Sequence, residues 1–82
     1  MRMLIVEDDP KISSFLVRGF QENGFAVDQT ASGEDALVLA TSTEYDAAIV
    51  DLMLPRLDGL SLIERLRAEK IGFPIIVLSA KR

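Results

Sequence analysis

The chain has 82 residues, carries a net charge of −4 and contains neither cysteine nor histidine. Its length allows one small domain, and its composition excludes disulfides, thiolate zinc sites and any mechanism that needs an imidazole. The acidic balance is unsuited to binding phosphate backbones, so a role on DNA would require another domain. No apolar stretch reaches the ~18 residues that span a bilayer, and no targeting segment is visible. These features predict a cytoplasmic protein that does not contact membranes.

Short apolar runs alternate with segments of helical periodicity along the whole chain. The runs predict four buried strands, and the segments between them predict three helices. Asp9 and Pro10 are suited to begin the first helix, Asn23 and Gly24 to end it, and Ser32 to begin the second. The predicted strands are residues 3–6, 25–30, 47–50 and 74–79; the predicted helices are residues 10–23, residues 32–42 and a segment that follows loop 52–58 and ends at Gly72.

The first predicted helix has one apolar face. Ile12, Phe15, Leu16, Gly19 and Phe20 recur on it at helical spacing. We expect this face to pack on a sheet. Gly19 costs helix propensity there, so we expect it to permit a close approach between helix and sheet.

The order β-α-β-α-β-α-β predicts an α/β fold, with an open parallel sheet and helices packed on both of its faces. A doubly wound, flavodoxin-like strand order of 2-1-3-4 with right-handed crossovers fits this alternation. In such sheets, ligands bind beyond the carboxyl ends of the strands, where the strand order reverses. Candidate functional residues are therefore sought at the strand ends.

This strand order would leave apolar surface uncovered. The first helix would lie alone on one face of the sheet, so the half formed by the third and fourth strands would be bare. The fourth strand would also be an unpaired apolar edge, a feature that promotes association. We expect the chain to self-associate through this bare face, through the fourth-strand edge or by exchanging an element.

Acidic residues follow two of the predicted strands. Glu7 and Asp8 come directly after the first strand, and Asp51 ends the third. If these strands are neighbours, three carboxylates converge and repel one another unless a cation neutralises them. Oxygen ligands favour a hard cation, Mg²⁺ or Mn²⁺. Asp9 is better explained as a helix cap, and Ser79 at the end of the fourth strand could donate to a phosphoryl oxygen on Asp51.

The sequence resembles response-regulator receiver domains, which have the CheY-like fold. The resemblance rests on Glu7-Asp8-Asp9 after the first strand, on the D-L-M-L-P-x-x-D-G motif that begins at Asp51, and on V-L-S-A at residues 77–80. It spans the whole chain. The E-D-D segment and the D-L-M-L-P loop are most similar to winged-helix transcription factors of the OmpR/PhoB type.

The resemblance implies a role for each matching residue. Asp51 would accept a phosphoryl group from the phosphohistidine of a sensor histidine kinase. Asp8 would bind Mg²⁺ directly, Glu7 mostly through water, and Met53 through its backbone carbonyl. Such a domain is a phosphoacceptor and not an enzyme, beyond catalysing its own phosphorylation and dephosphorylation.

Further implications concern the last residues of the chain. Ser79 matches the Ser/Thr switch position of the family, and Ala80 matches the small residue that admits the phosphoryl group. The family's catalytic lysine, at the end of a fifth strand, has no match in this chain, because Lys81 lies in the loop after the fourth strand.

We therefore expect residues 1–82 to be the N-terminal part of a receiver domain. The fifth strand, the last two helices and any DNA-binding domain would lie outside this chain, in a longer transcription regulator. Without the lysine, we expect the isolated chain to be phosphorylated slowly or not at all.

Two other functions remain open. A haloacid-dehalogenase-type phosphatase also uses a strand-end aspartate and Mg²⁺, but it needs a second aspartate two residues on, where Met53 stands. A receiver-like interaction module without phosphotransfer fits the missing lysine but does not explain the intact Glu7, Asp8 and Asp51. The sequence contains neither of the glycine-rich nucleotide-binding motifs, G-x-G-x-x-G or G-x-x-x-x-G-K-[ST].

Overall fold

Strands and helices alternate along the chain in the computed structural model, which describes residues 1–78. The elements are β1 (Arg2–Val6), α1 (Pro10–Glu22), β2 (Ala26–Thr30), α2 (Gly33–Ser42), β3 (Ala47–Asp51), α3 (Gly59–Ala68) and β4 (Ile75–Leu78). The four strands form one parallel sheet in the order β2-β1-β3-β4. The α/β class and the strand order predicted from the sequence are therefore confirmed. Among residues 1–78, every helix is too short or too polar to cross a membrane.

The three helices divide between the two faces of the sheet as predicted. On one face, Met3, Ile5 and Ile49 pack against α1 through three of its apolar side chains; on the other, a larger core joins β1 and β3 to α2 and α3. β1 contributes alternate residues to both cores, so its apolar run is continuous. The α1 side chains in the smaller core are Leu16, Val17 and Phe20.

The start of each helix is fixed by a polar side chain. The Asp9 carboxylate accepts the backbone N–H groups of Lys11 at 2.9 Å and Ile12 at 3.2 Å, so Asp9 is the predicted cap. The Ser32 hydroxyl accepts the backbone N–H of Asp35 at 3.0 Å and begins α2. These caps satisfy N–H groups that have no partner within the helix.

The prediction that α3 continues to Gly72 is wrong. The helix ends at Ala68, and Lys70 takes a left-handed conformation with φ of 60°. The Ile71 N–H donates to the Leu66 carbonyl oxygen, the bond that closes a Schellman turn. This turn directs Ile71 back onto the larger core. Burial of an apolar side chain, and not the conformational freedom of a glycine, therefore determines where the helix stops.

The predicted apolar face of α1 is partly wrong. Phe15 is 78% exposed, and Ser13 is buried. A β-carbon built on Gly19 would have no atom within 4 Å, so this glycine does not permit a close approach to the sheet. The face that packs on the sheet is rotated towards Val17, and it includes a serine that a search for apolar residues overlooks.

β4 has a strand neighbour on one side only within residues 1–78. Two of its side chains are exposed, Ile76 by 52% and Val77 by 44%. The prediction that the half of the α1 face formed by β3 and β4 is bare is wrong for β3, since Ile49 is only 4% exposed, whereas its neighbour Ile76 on β4 is exposed. Within the sheet of residues 1–78, the exposed large apolar side chains therefore lie on β4.

Candidate functional site

The structure brings the three predicted carboxylates together. β1 and β3 are parallel neighbours, and Val6 is paired with Val50. The residues that follow this pair, Glu7 and Asp51, therefore lie at the same end of the sheet. One carboxylate oxygen from each of Glu7, Asp8 and Asp51 lies within 4.8 Å of the other two, which is close enough for one small cation to contact all three.

The backbone around Glu7 is fixed by β2. The Glu7 N–H donates to the carbonyl oxygen of Thr30 at 3.0 Å, and the side-chain amide of Gln29 donates to the Glu7 carbonyl oxygen at 3.1 Å. The Glu7 carboxylate accepts the backbone N–H of Asp9 at 3.1 Å. These bonds hold an acidic residue that is only 1% exposed. Sequence reasoning did not identify Gln29, because an exposed glutamine on a strand carries no signal of this contact.

Asp51 is held from the loop that follows it. The Met53 N–H donates to Asp51 Oδ1 at 2.9 Å, and the Asp51 side chain is 1% exposed. The Leu52 N–H donates to the Leu78 carbonyl oxygen at 3.1 Å, which ties the loop to β4. The Met53 side chain is 59% exposed. The predicted site residues Ser79 and Ala80 lie outside the described residues.

The electrostatics of the site favour a proton or a cation. Burial raises the pKa of Glu7, and the hydrogen bond with Asp51 raises it further, while the N–H of Asp9 opposes this change. Both causes follow from placing carboxylates side by side away from water. A bound cation would neutralise these charges in place of a proton, so metal and protons compete for the site.

We expect the free energy of unfolding of the metal-free protein to decrease as the pH is raised above 4.5, the ordinary pKa of Glu7. The folded pKa of Glu7 lies above its ordinary value of 4.5. Its protonation therefore stabilises the fold fully below pH 4.5, and this contribution is lost as the pH rises through the folded pKa. Urea unfolding at several pH values measures the slope. Glu7→Gln should flatten it and the exposed control Glu44→Gln should not; equal slopes for both variants would contradict the assignment.

Comparison with known sequences gives consistent matches. The family described as "Response regulator receiver domain" matches residues 3–82. The transcriptional regulatory protein TcrA of Mycobacterium tuberculosis is 38% identical over 81 residues, which are 99% of this chain and 32% of that protein. The transcriptional regulatory protein CusR of Escherichia coli is 40% identical over 80 residues, 98% of this chain and 35% of that protein. The chain thus spans about a third of the length of these relatives.

Comparison with solved structures gives the same result. A Francisella response regulator receiver domain superposes with a TM-score of 0.92 at 40% identity, over 96% of this chain and 65% of that one. The receiver domain of a Pseudomonas aeruginosa sensor histidine kinase has a magnesium ion coordinated in its active-site cleft. It superposes with a TM-score of 0.92 at 35% identity, over 98% of this chain and 67% of that one. One chain of the complex of histidine kinase ThkA with response regulator TrrA, the latter from Thermotoga maritima, superposes with a TM-score of 0.88 at 36% identity, over 99% of this chain and 70% of that one.

Proposed function

Because the chain belongs to the response regulator receiver domain family, we propose that Asp51 accepts a phosphoryl group in two-component signal transduction. The observation that carries the proposal is the buried Asp51 carboxylate, which has Glu7 and Asp8 within 4.8 Å. Asp51 supplies a carboxylate nucleophile, and Glu7 and Asp8 lie beside it, so the domain is a phosphoacceptor in this proposal. Any catalysis would be of its own phosphorylation and dephosphorylation.

The donor set fits Mg²⁺, or Mn²⁺ in its place. All three side chains offer carboxylate oxygens, the ligands that these hard cations prefer, and Mg²⁺ is commonly held by only one or two carboxylates. Asp8 is the direct ligand in this proposal, Glu7 acts mostly through water, and Met53 contributes its backbone carbonyl. When bound, the cation neutralises negative charge on the phosphoryl oxygens.

The proposed reaction uses Asp51 as a carboxylate nucleophile. One of its oxygens attacks the phosphorus of a phosphohistidine; the new P–O bond forms as the P–N bond breaks, and the electron pair leaves with the imidazole nitrogen. The Met53 N–H donates to Asp51 Oδ1, and this hydrogen bond fixes the orientation of the carboxylate. Ser79 would donate to the phosphoryl group as the switch residue, and Ala80 would leave room for it.

A sensor histidine kinase is the proposed phosphodonor. Support comes from the ThkA–TrrA complex, one chain of which is 36% identical to this one. The relatives TcrA and CusR are named transcriptional regulatory proteins, which supports control of DNA binding by a separate domain. A cytoplasmic location follows from the same proposal, since the phosphodonor and the DNA are both there.

We expect beryllofluoride, a mimic of the phosphoryl group, to bind at Asp51 only when Mg²⁺ is present. Mg²⁺ alone should shift the NMR resonances of Glu7, Asp8, Asp51 and Met53, and beryllofluoride should extend these shifts. Asp51→Asn should remove them, whereas Asp46→Asn at the opposite end of β3 should not. Unchanged Mg²⁺ shifts in Asp51→Asn would contradict the proposed site.

We also propose that two copies of this chain associate through β4. Its Ile76 and Val77 side chains are exposed, and its outer edge has no strand neighbour within residues 1–78. Exposed apolar strand edges pair readily with a second chain. Sedimentation at micromolar concentration should show dimers, and Ile76→Lys should reduce them more than the control Val38→Lys, an exposed position on α2. A monomer whose unfolding does not depend on concentration would contradict this proposal.

A further inference from the structure

Gly59 lies in unusually close contact with the backbone of Asp51. A β-carbon built on Gly59 would lie 2.2 Å from the Asp51 carbonyl oxygen and 2.8 Å from both the Asp51 carbonyl carbon and the Leu52 α-carbon. The Gly59 N–H donates to the Leu52 carbonyl oxygen at 3.3 Å. The first residue of α3 therefore rests directly on the peptide that carries the proposed phosphoacceptor.

The need for glycine at this position is steric. Gly59 does not have the positive φ that glycine alone adopts readily; Gly24 is the one glycine with such a value among residues 1–78. Gly59 is the first residue of a helix, where alanine has the higher propensity. Neither the backbone conformation nor the helix propensity requires glycine at residue 59. The cost of a side chain here therefore comes from the contact with Asp51.

We propose that Gly59 is a positioning residue for Asp51, and this inference rests on the proposed function of that aspartate. Absence of a side chain lets the N-terminus of α3 pack against the peptide that follows β3. That contact fixes the path of residues 51–53, and with it the Met53 N–H that holds Asp51 Oδ1. A methyl group at residue 59 would displace this peptide by a fraction of an ångström or more, because a carbonyl oxygen cannot move aside as a flexible side chain can.

Gly33, the first residue of α2, provides a matched control that contacts the other end of the loop between β3 and α3. It is also buried, it is also the first residue of a helix, and a β-carbon on it would lie 2.3 Å from the Leu57 carbonyl oxygen. Gly33→Ala and Gly59→Ala therefore create overlaps of the same kind at the same helical position. Only the second overlap is with Asp51.

The test compares these two variants in three measurements. We expect both variants to lower the free energy of unfolding. In metal-free protein, Gly59→Ala should shift the amide resonances of Leu52 and Met53, and Gly33→Ala should not. Gly59→Ala should weaken Mg²⁺ binding about tenfold, as losses around a metal site commonly do, whereas Gly33→Ala should change it less than about twofold. Equal effects of the two variants on the amide resonances and on Mg²⁺ affinity would overturn the proposal.

The metal-free amide resonances separate this proposal from the proposed function. If the wild-type protein fails to bind Mg²⁺, the proposed function fails, but the Met53 amide still reports whether Gly59 positions the peptide. If Gly59→Ala does not fold, Asp58→Ala replaces it, since it removes the carboxylate that accepts the Ser61 N–H at 2.8 Å and thereby loosens the start of α3. Asp58→Asn removes the same charge but retains a cap. Identical Met53 resonances in these two variants would overturn the proposal.

Discussion

Replacing Asp51 by alanine is expected to abolish phosphoryl acceptance completely. The reaction requires an oxygen nucleophile, and Asp51 is the one aspartate among residues 1–78 that is both nearly fully buried and clustered with two other carboxylates. Incubation of the full gene product with acetyl phosphate and Mg²⁺, followed by intact mass spectrometry, measures the modification. Asp35→Asn, at an exposed position on α2, is the control and should be modified as the wild type is.

A second change separates loss of the nucleophile from loss of the switch. Ser79→Ala should leave Asp51 available for phosphorylation but weaken the structural response, because the hydroxyl would contact the phosphoryl group only after it is attached. Retention of acid-labile phosphate in Asp51→Ala would contradict the assignment of the phosphoacceptor.

Asp51→Asn should also lower the pKa of Glu7, since the hydrogen bond with Asp51 is one cause of its increase.

The position of the site could be predicted because it depends on topology. Parallel strands bring their carboxyl ends to one edge of the sheet, so Glu7 and Asp51 must meet once β1 and β3 are neighbours. The helix starts could also be predicted, because the side chains of Asp9 and Ser32 accept N–H groups that lie only two or three residues further along the chain. Contacts of this kind are encoded locally or by strand order.

Features that depend on packing between distant segments could not be predicted in this way. Phe15 and Gly19 belong to the apolar pattern of α1, but the rotation of the helix on the sheet depends on neighbours in β1 and β3. The Tyr45 hydroxyl donates to the Asp28 carboxylate at 2.6 Å, although 17 residues separate them. Burial, with a smaller contribution from this bond, raises the pKa of Tyr45 to about 12. Neither residue carried a sequence signal for the pair.

The Gly59 contact was within reach of sequence reasoning, yet it was missed. Gly59 is the first residue of α3, directly after the cap Asp58. Glycine lowers helix propensity there, and the backbone of Gly59 does not take the positive φ that would require a glycine. Gly33 follows Ser32 in the same way. Glycines at these places therefore indicate a close approach by another backbone, but the sequence does not show which backbone approaches.

Replacing Leu62 by alanine is expected to cost about 2–5 kcal/mol of the free energy of unfolding, because it leaves a cavity in the larger core. Leu62 is fully buried, with an exposed fraction of 0%, in the cluster that also contains Val50 and Leu54 on either side of Asp51. A domain of this length has about 4–12 kcal/mol in total, at about 0.05–0.15 kcal/mol per residue. The loss therefore removes much of the stability.

Leu60 provides the control for this effect, since it lies on the same helix and is 60% exposed. Leu60→Ala changes the same side chain to the same product without opening a cavity, so its cost should be below about 0.5 kcal/mol. Urea unfolding followed by circular dichroism measures both variants. Mg²⁺ should raise the unfolding midpoint of Leu62→Ala, because binding to the folded state alone stabilises it. Equal losses in the two variants would show that α3 does not pack on the sheet through Leu62.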